Sequence, residues 1–163
     1  MSESQKKPAE IFLDLRNQML KQNPAEIGIN EFFGKNNVWA VLMETGYPEG
    51  TASLVAVSDG NASLYLSHGG GTIGAGQHDA VKQISKNLVM QADGYIQFCQ
   101  ETKDFPLPRV GQTIFYILTK DKFYMSASLE ENFGEDRHQL SPLFYIAQDL
   151  IAQIRFTEEG NKN

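Results

Sequence analysis

Two histidines, His68 and His78, bracket a polar glycine-rich run, Ser67-His68-Gly69-Gly70-Gly71-Thr72-Ile73-Gly74-Ala75-Gly76, and Asp79 follows the second of them. Imidazoles gathered by a loop can hold a divalent cation or pass a proton, and bare glycine amides ahead of a helix can cradle a phosphate. Gly69, Gly71 and Gly74 match the spacing of the dinucleotide fingerprint, with a strand-like run before them and a helix-like run after. That fingerprint also needs a second parallel strand ending in an acidic residue on the ribose. Here the apolar positions Val81, Ile84, Leu88, Ala92, Tyr95, Phe98 and Cys99 continue at helical spacing where that strand should be. The competing account is an ordinary strand-to-helix connection in which glycine supplies positive φ at little steric cost. His68, Gly69, Gly70, Gly71, Thr72, Gly74, Gly76 and His78 therefore form a candidate ligand-binding set. No metal or cofactor is expected with them, because the chain has three histidines, one cysteine and no His-x-x-x-His pair.

The other reactive side chains read as structural. Cys99 falls on the apolar stripe of the helix, the position of a small buried hydrophobe. The acidic run from Glu130 to Asp136 lacks the alternating ligand spacing of a calcium loop and reads as a solvated turn. Asn61-Ala62-Ser63 spells a glycosylation sequon, but the first residues lack the charged-then-apolar pattern of a secretory signal. A cytoplasmic location is the resulting expectation. No serine sits in a nucleophile-elbow motif and no carboxylate pair is marked out for acid–base work, so no catalytic residue is assigned.

The elements that must position the glycine run follow from hydrophobic periodicity. Pro8 opens a helix whose apolar residues Ile11, Phe12, Leu15 and Met19 recur until Asn23-Pro24. An irregular connector over 25–37 should tuck Phe32 and Phe33 into the core. Strands are expected over Val38–Thr45, Thr51–Ser58 and Ala62–Ser67, separated by turn signals at Gly46-Tyr47-Pro48-Glu49-Gly50 and Asp59-Gly60-Asn61. A single helix over Asp79–Glu101 follows. Strands Gln112–Thr119 and Lys122–Leu129 and a last helix from Ser141-Pro142 complete the order. Both alternating sets of Val38–Met43 and of Ile114–Leu118 are apolar, as in strands covered on two sides, whereas 62–67 and 122–129 alternate with polar residues. The expected fold is α+β: one five-stranded, mostly antiparallel sheet flanked by helices in the order α-βββ-α-ββ-α, a single domain over 1–163 with 1–7 and 158–163 frayed.

A chain of 163 residues can build its own core, and 41% apolar content with a net charge of -6 fits a globular protein. The acidic balance, with no basic cluster beyond Lys6-Lys7, argues against nucleic acid or an anionic membrane as partner. The longest unbroken apolar run, Val38 to Met43, is too short to span a bilayer.

The element order over Pro8 to Phe156 resembles that of the type III secretion chaperone-like domains, and more distantly that of roadblock and longin domains, which place one strand fewer before the central helix. The first resemblance implies a small acidic homodimer that binds a protein partner. The strand faces bear on the same point: two central strands need cover on both sides, so either helices cover both faces of the sheet or, where they leave part of one open, a second copy of the chain covers it. The expected function is thus a non-enzymatic, chaperone-like protein-interaction domain. The alternative is a small-ligand, nucleotide or metal binder, or an enzyme, centred on Ser67–Gly76 and the start of the following helix.

Overall fold

The computed structural model describes residues 8–160. Helix α1 (Glu10–Lys21) precedes a meander of strands β1 (Val38–Tyr47), β2 (Gly50–Val57) and β3 (Ala62–Leu66), closed by a two-residue strand β4 (Gly71–Thr72). Helix α2 (Asp79–Ala92) then leads through a 3-10 segment (Asp93–Phe98) to a short strand β5 (Gln100–Glu101). Strands β6 (Gln112–Thr119) and β7 (Phe123–Leu129), a short helix α3 (Glu130–Gly134) and the long α4 (Ser141–Gly160) finish the chain. The strands form one sheet in the order β4-β3-β2-β1-β6-β7-β5, and every pairing in it is antiparallel.

The α+β class and the central place of β1 and β6 agree with the two-sided apolar patterns. The strand count does not: the sheet has seven strands, not five. β4 and β5 contribute two residues each, too few to show a period in sequence. The helix expected over Asp79–Glu101 also stops early, at Ala92. Asp93 itself keeps helical backbone angles (φ −54°, ψ −39°) and opens the 3-10 segment, while the connector before β1 holds its side chain: the Asn36 amide and Nδ2 both donate to its Oδ1 at 3.0 and 2.9 Å. Gly34 (φ +74°) lies so close that a Cβ there would stand 2.1 Å from the Asp93 carboxyl carbon. Gly94 next to it weakens the helix further. The acidic run forms α3 instead of an open turn, and its carboxylates Glu131 and Glu135 both pair with Arg137. Of the ends expected to fray, 1–7 and 161–163 lie outside the described residues, while Glu158 to Gly160 continue α4.

The sheet divides two cores. On one face Val41, Met43, Leu54, Leu64, Phe115 and Ile117 pack under α2 and α4, with Val81, Leu88, Leu143, Ala147 and Leu150. On the other, Leu42, Val55, Ile114, Tyr116 and Leu118 pack under α1 (Phe12 and Leu20), Ile29, Phe32, Phe105 and Leu107. A register shift between Val38 and Ala40 places Trp39 and Ala40 together on the α1 face, where the Trp39 indole donates to the Thr119 carbonyl at 3.2 Å. Phe32 and Phe33, expected side by side, part to opposite cores. β1 and β6 are thus covered on both faces by the chain itself, so the open sheet face that motivated a second copy is absent from the described residues. No helix among them is long and apolar enough to cross a membrane.

Candidate functional site

The glycine run is a β-hairpin before it is a helix approach. The Leu66 amide donates to the Gly70 carbonyl and the Gly69 amide to the Leu66 carbonyl, both at 2.9 Å, and Gly71–Thr72 returns along Tyr65–Leu64. Gly71 (φ +140°) is required by this approach, since a Cβ there would lie 2.1 Å from the Leu64 carbonyl oxygen. Further amides of the run are taken up within the chain. Gly70 donates to His68 Nδ1 (3.2 Å), Gly74 to Ser63 Oγ (3.1 Å) and Gly76 to Asn61 Oδ1 (3.3 Å). The run is therefore held by its own contacts with β3 and with the Asp59–Asn61 turn.

His78 stands at the other end of the run, where its carbonyl accepts the Lys82 amide at 2.9 Å and its side chain does not cap α2. No group of three or more His, Cys, Asp or Glu among the described residues is arranged to hold a metal. Burial pushes the Cys99 thiol up to about 11, in keeping with a structural cysteine, and its Sγ donates to the Tyr95 carbonyl at 3.4 Å.

Of the candidate set, His68 lines a cleft. The cleft has a volume of about 270 Å³ and is walled by the β1–β2 turn (Tyr47, Glu49, Gly50), the end of β3 (Ser67, His68) and one face of α4 (Gln148, Ile151, Arg155). Its floor is Ala52, Leu64 and Leu66. Register explains the floor: Ala52 pairs with Leu66 and Leu54 with Leu64, so these side chains share the face that α4 covers. The wall is tied by Ser67, whose Oγ accepts the Thr51 amide at 2.8 Å and leaves no room for a Cβ at Gly50. On α4 the residues Gln148, Ile151 and Arg155 recur three and four apart and so face the cleft together. Among the described side chains, which run to Glu158, no carboxylate is paired with Arg155. Burial pushes the Tyr47 phenol up, with Glu130 acting in the same direction and Arg155 against it, and the Tyr47 hydroxyl donates to Glu130 Oε2 at 3.4 Å. The cleft thus brings the side chains of His68, Gln148 and Arg155 around an apolar floor.

A second polar constellation, unforeseen in the sequence, lies buried on the opposite face. Arg16 of α1 donates through Nε and Nη2 to the two oxygens of Glu44 at 2.8 and 2.9 Å and through Nη2 to the Phe105 carbonyl at 2.8 Å. Ser53 Oγ donates to Glu44, and the Tyr116 hydroxyl donates to the Pro106 carbonyl at 2.6 Å. Burial works to lower the Arg16 pKa, and the hydrogen bonds and charge of Glu44 outweigh it. Burial, reinforced by Glu44, holds the Tyr116 phenol neutral. With each group satisfied and Glu44 fully buried, the network fastens α1 and the Phe105–Pro106 connector to the sheet. The sequence signal was an acidic residue closing the apolar run Val38–Met43, and an arginine four residues from both Phe12 and Leu20.

Comparison with protein-family models, with curated proteins and with solved structures finds no match for this chain.

Proposed function

We propose that this protein is a non-catalytic binding domain whose recognition site is the cleft beside the glycine hairpin. The observation that carries this reading is the grouping of His68, Gln148 and Arg155 along one apolar-floored cleft. A compact cavity with a few converging polar groups is the usual form of a small-ligand site. The reading is the alternative weighed from sequence, shifted from the glycine amides to the side chains around them. Its test is an amide chemical-shift titration with a library of small polar and amphipathic fragments. Shifts gathered on Ala52, Leu66, His68 and Gln148 are expected, and a library that leaves those amides unmoved overturns the reading.

A second reading keeps the homodimeric interaction domain, and a specific feature favours it. β5 pairs with Tyr124 and Met125 only, so no described strand covers the outer edge of Ser126–Leu129. That edge carries no lysine or proline to discourage pairing. Phe98, 42% exposed, stands beside it with Gln100, Ser126 and Ala127 around a groove of about 310 Å³. Two copies pairing β7 to β7 about a twofold axis would close this edge. Sedimentation of the parent and of Ala127→Lys tests the reading: a dimer that the substitution dissociates supports it, and a monomer at high concentration removes it. A cytoplasmic place belongs to either reading.

A further inference from the structure

We infer that the cleft beside the glycine hairpin takes a small monocarboxylate with an apolar tail, the carboxylate at Arg155 and His68 and the tail on Leu64, Leu66 and Ile151. This rests on the binding-site reading above and adds the ligand's chemical class. Three features of the walls converge on it.

The first is the guanidinium of Arg155. It presents N–H donors in a planar fork that matches a carboxylate in two-pronged fashion, and among the described side chains, which run to Glu158, no carboxylate occupies it. The second is the state of His68. Its Nδ1 accepts the Gly70 amide at 3.2 Å, so the neutral ring carries its proton on Nε2 and offers a second donor. The side-chain amide of Gln148, two turns before Arg155 on α4, adds a third. A set this rich in donors selects a ligand end that only accepts, which a carboxylate does and an ammonium does not.

The third feature is the floor. Leu64 is buried and Leu66 half-buried, and with Ile151 they supply an apolar surface that a wholly polar ligand would leave unused. The acid among the lining residues, Glu49, is exposed on the two-residue turn between β1 and β2, so it can remain in water while the donors are engaged. The volume of about 270 Å³ restricts the ligand to a compact molecule.

The test is an amide chemical-shift titration of the intact chain with acetate, butyrate, hexanoate, hexanamide and hexylamine, repeated on Arg155→Gln. Arg155 and His68 are both exposed, so the variant is expected to fold. Affinity should rise from acetate to hexanoate by roughly fourfold per methylene until the floor is covered. Hexanoate should bind at least tenfold more tightly than hexanamide, hexylamine should be the weakest of the six-carbon probes, and Arg155→Gln should abolish the preference for the carboxylate while keeping the preference for chain length. If hexanamide or hexylamine binds the cleft as well as hexanoate, or if Arg155→Gln leaves the preference intact, the carboxylate assignment is overturned while the cleft stands as a binding site. If none of the probes moves the cleft amides, this assignment fails, and the fragment library then decides the broader reading by itself.

Discussion

Arg16 on α1 and Glu44 on β1 meet in a two-pronged ion pair at 2.8 and 2.9 Å, with Arg16 5% exposed and Glu44 not exposed at all. A buried pair of this kind contributes little beyond what an apolar pair would, yet removing one partner leaves the other charge without compensation. Arg16→Met should therefore destabilise the fold by about 3–5 kcal/mol. The double variant Arg16→Met with Glu44→Gln should recover a large part of that loss, because the lone carboxylate is gone. Urea denaturation of the two single variants and the double variant forms the cycle that checks it; a double variant no better than Arg16→Met alone would show that the cost lies in packing of α1 and not in charge.

Leu88 sits mid-stripe on α2, fully buried between the sheet and α4. Leu88→Ala removes buried methyl groups and leaves a cavity, at a cost of about 2–5 kcal/mol. Met90, two residues on and half exposed, provides the contrast: Met90→Ala should stay within about 0.5 kcal/mol. Equal denaturant midpoints for the two variants would mean that α2 is not docked by this stripe.

Periodicity carried the fold as far as its long elements. Both alternating sets of Val38–Met43 and Ile114–Leu118 are apolar, and these strands do lie at the centre. Periodicity failed where the helix changes type: Tyr95, Phe98 and Cys99 keep α-helical spacing, but from Asp93, whose side chain Asn36 holds, the chain continues as a 3-10 segment with Gly94 as its second residue. The cover over the sheet faces, which the sequence left open between helices and a second copy, was hard to read for a related reason. The 25–37 connector and Phe105–Leu107 act as a third layer with α1, and irregular segments have no period by which to foresee it. At the cleft, His68 stood out because glycines surround it. Gln148 and Arg155 did not, since a polar residue on the outer face of a helix looks the same whether it faces water or a cavity.

The glycines separate by the space around them. A methyl group at Gly71 would collide with the Leu64 carbonyl and demand φ +140° of an L-residue, whereas one at Gly94 meets nothing within 4 Å and no positive φ. Gly71→Ala should destabilise by more than about 1 kcal/mol, and Gly94→Ala should stabilise by about 0.4–1 kcal/mol by narrowing the unfolded ensemble. Thermal unfolding of the two variants orders them. A neutral Gly71→Ala would show that the β3–β4 hairpin gives way without cost.

His138 couples the middle of β7 to the start of α4. Its Nδ1 accepts the Leu140 amide at 2.9 Å, its Nε2 lies 3.3 Å from Ser126 Oγ, and its ring centroid stands 4.3 Å from that of Phe133. Burial lowers the pKa of this imidazole below the usual histidine value. The neutral ring is the one the fold selects, because protonating Nδ1 removes the acceptor that Leu140 uses. The sign follows from proton counting: as pH falls through the unfolded histidine value near 6.5, the unfolded chain takes up a proton that the folded chain resists, and stability falls. The loss grows downward until the depressed folded pKa is passed, and then levels. His138→Asn keeps an acceptor for the Leu140 amide and has nothing to titrate. Urea midpoints at pH 7.5 and pH 5 should therefore fall further in the parent than in His138→Asn, and equal falls in the two proteins would place the pH dependence elsewhere in the chain.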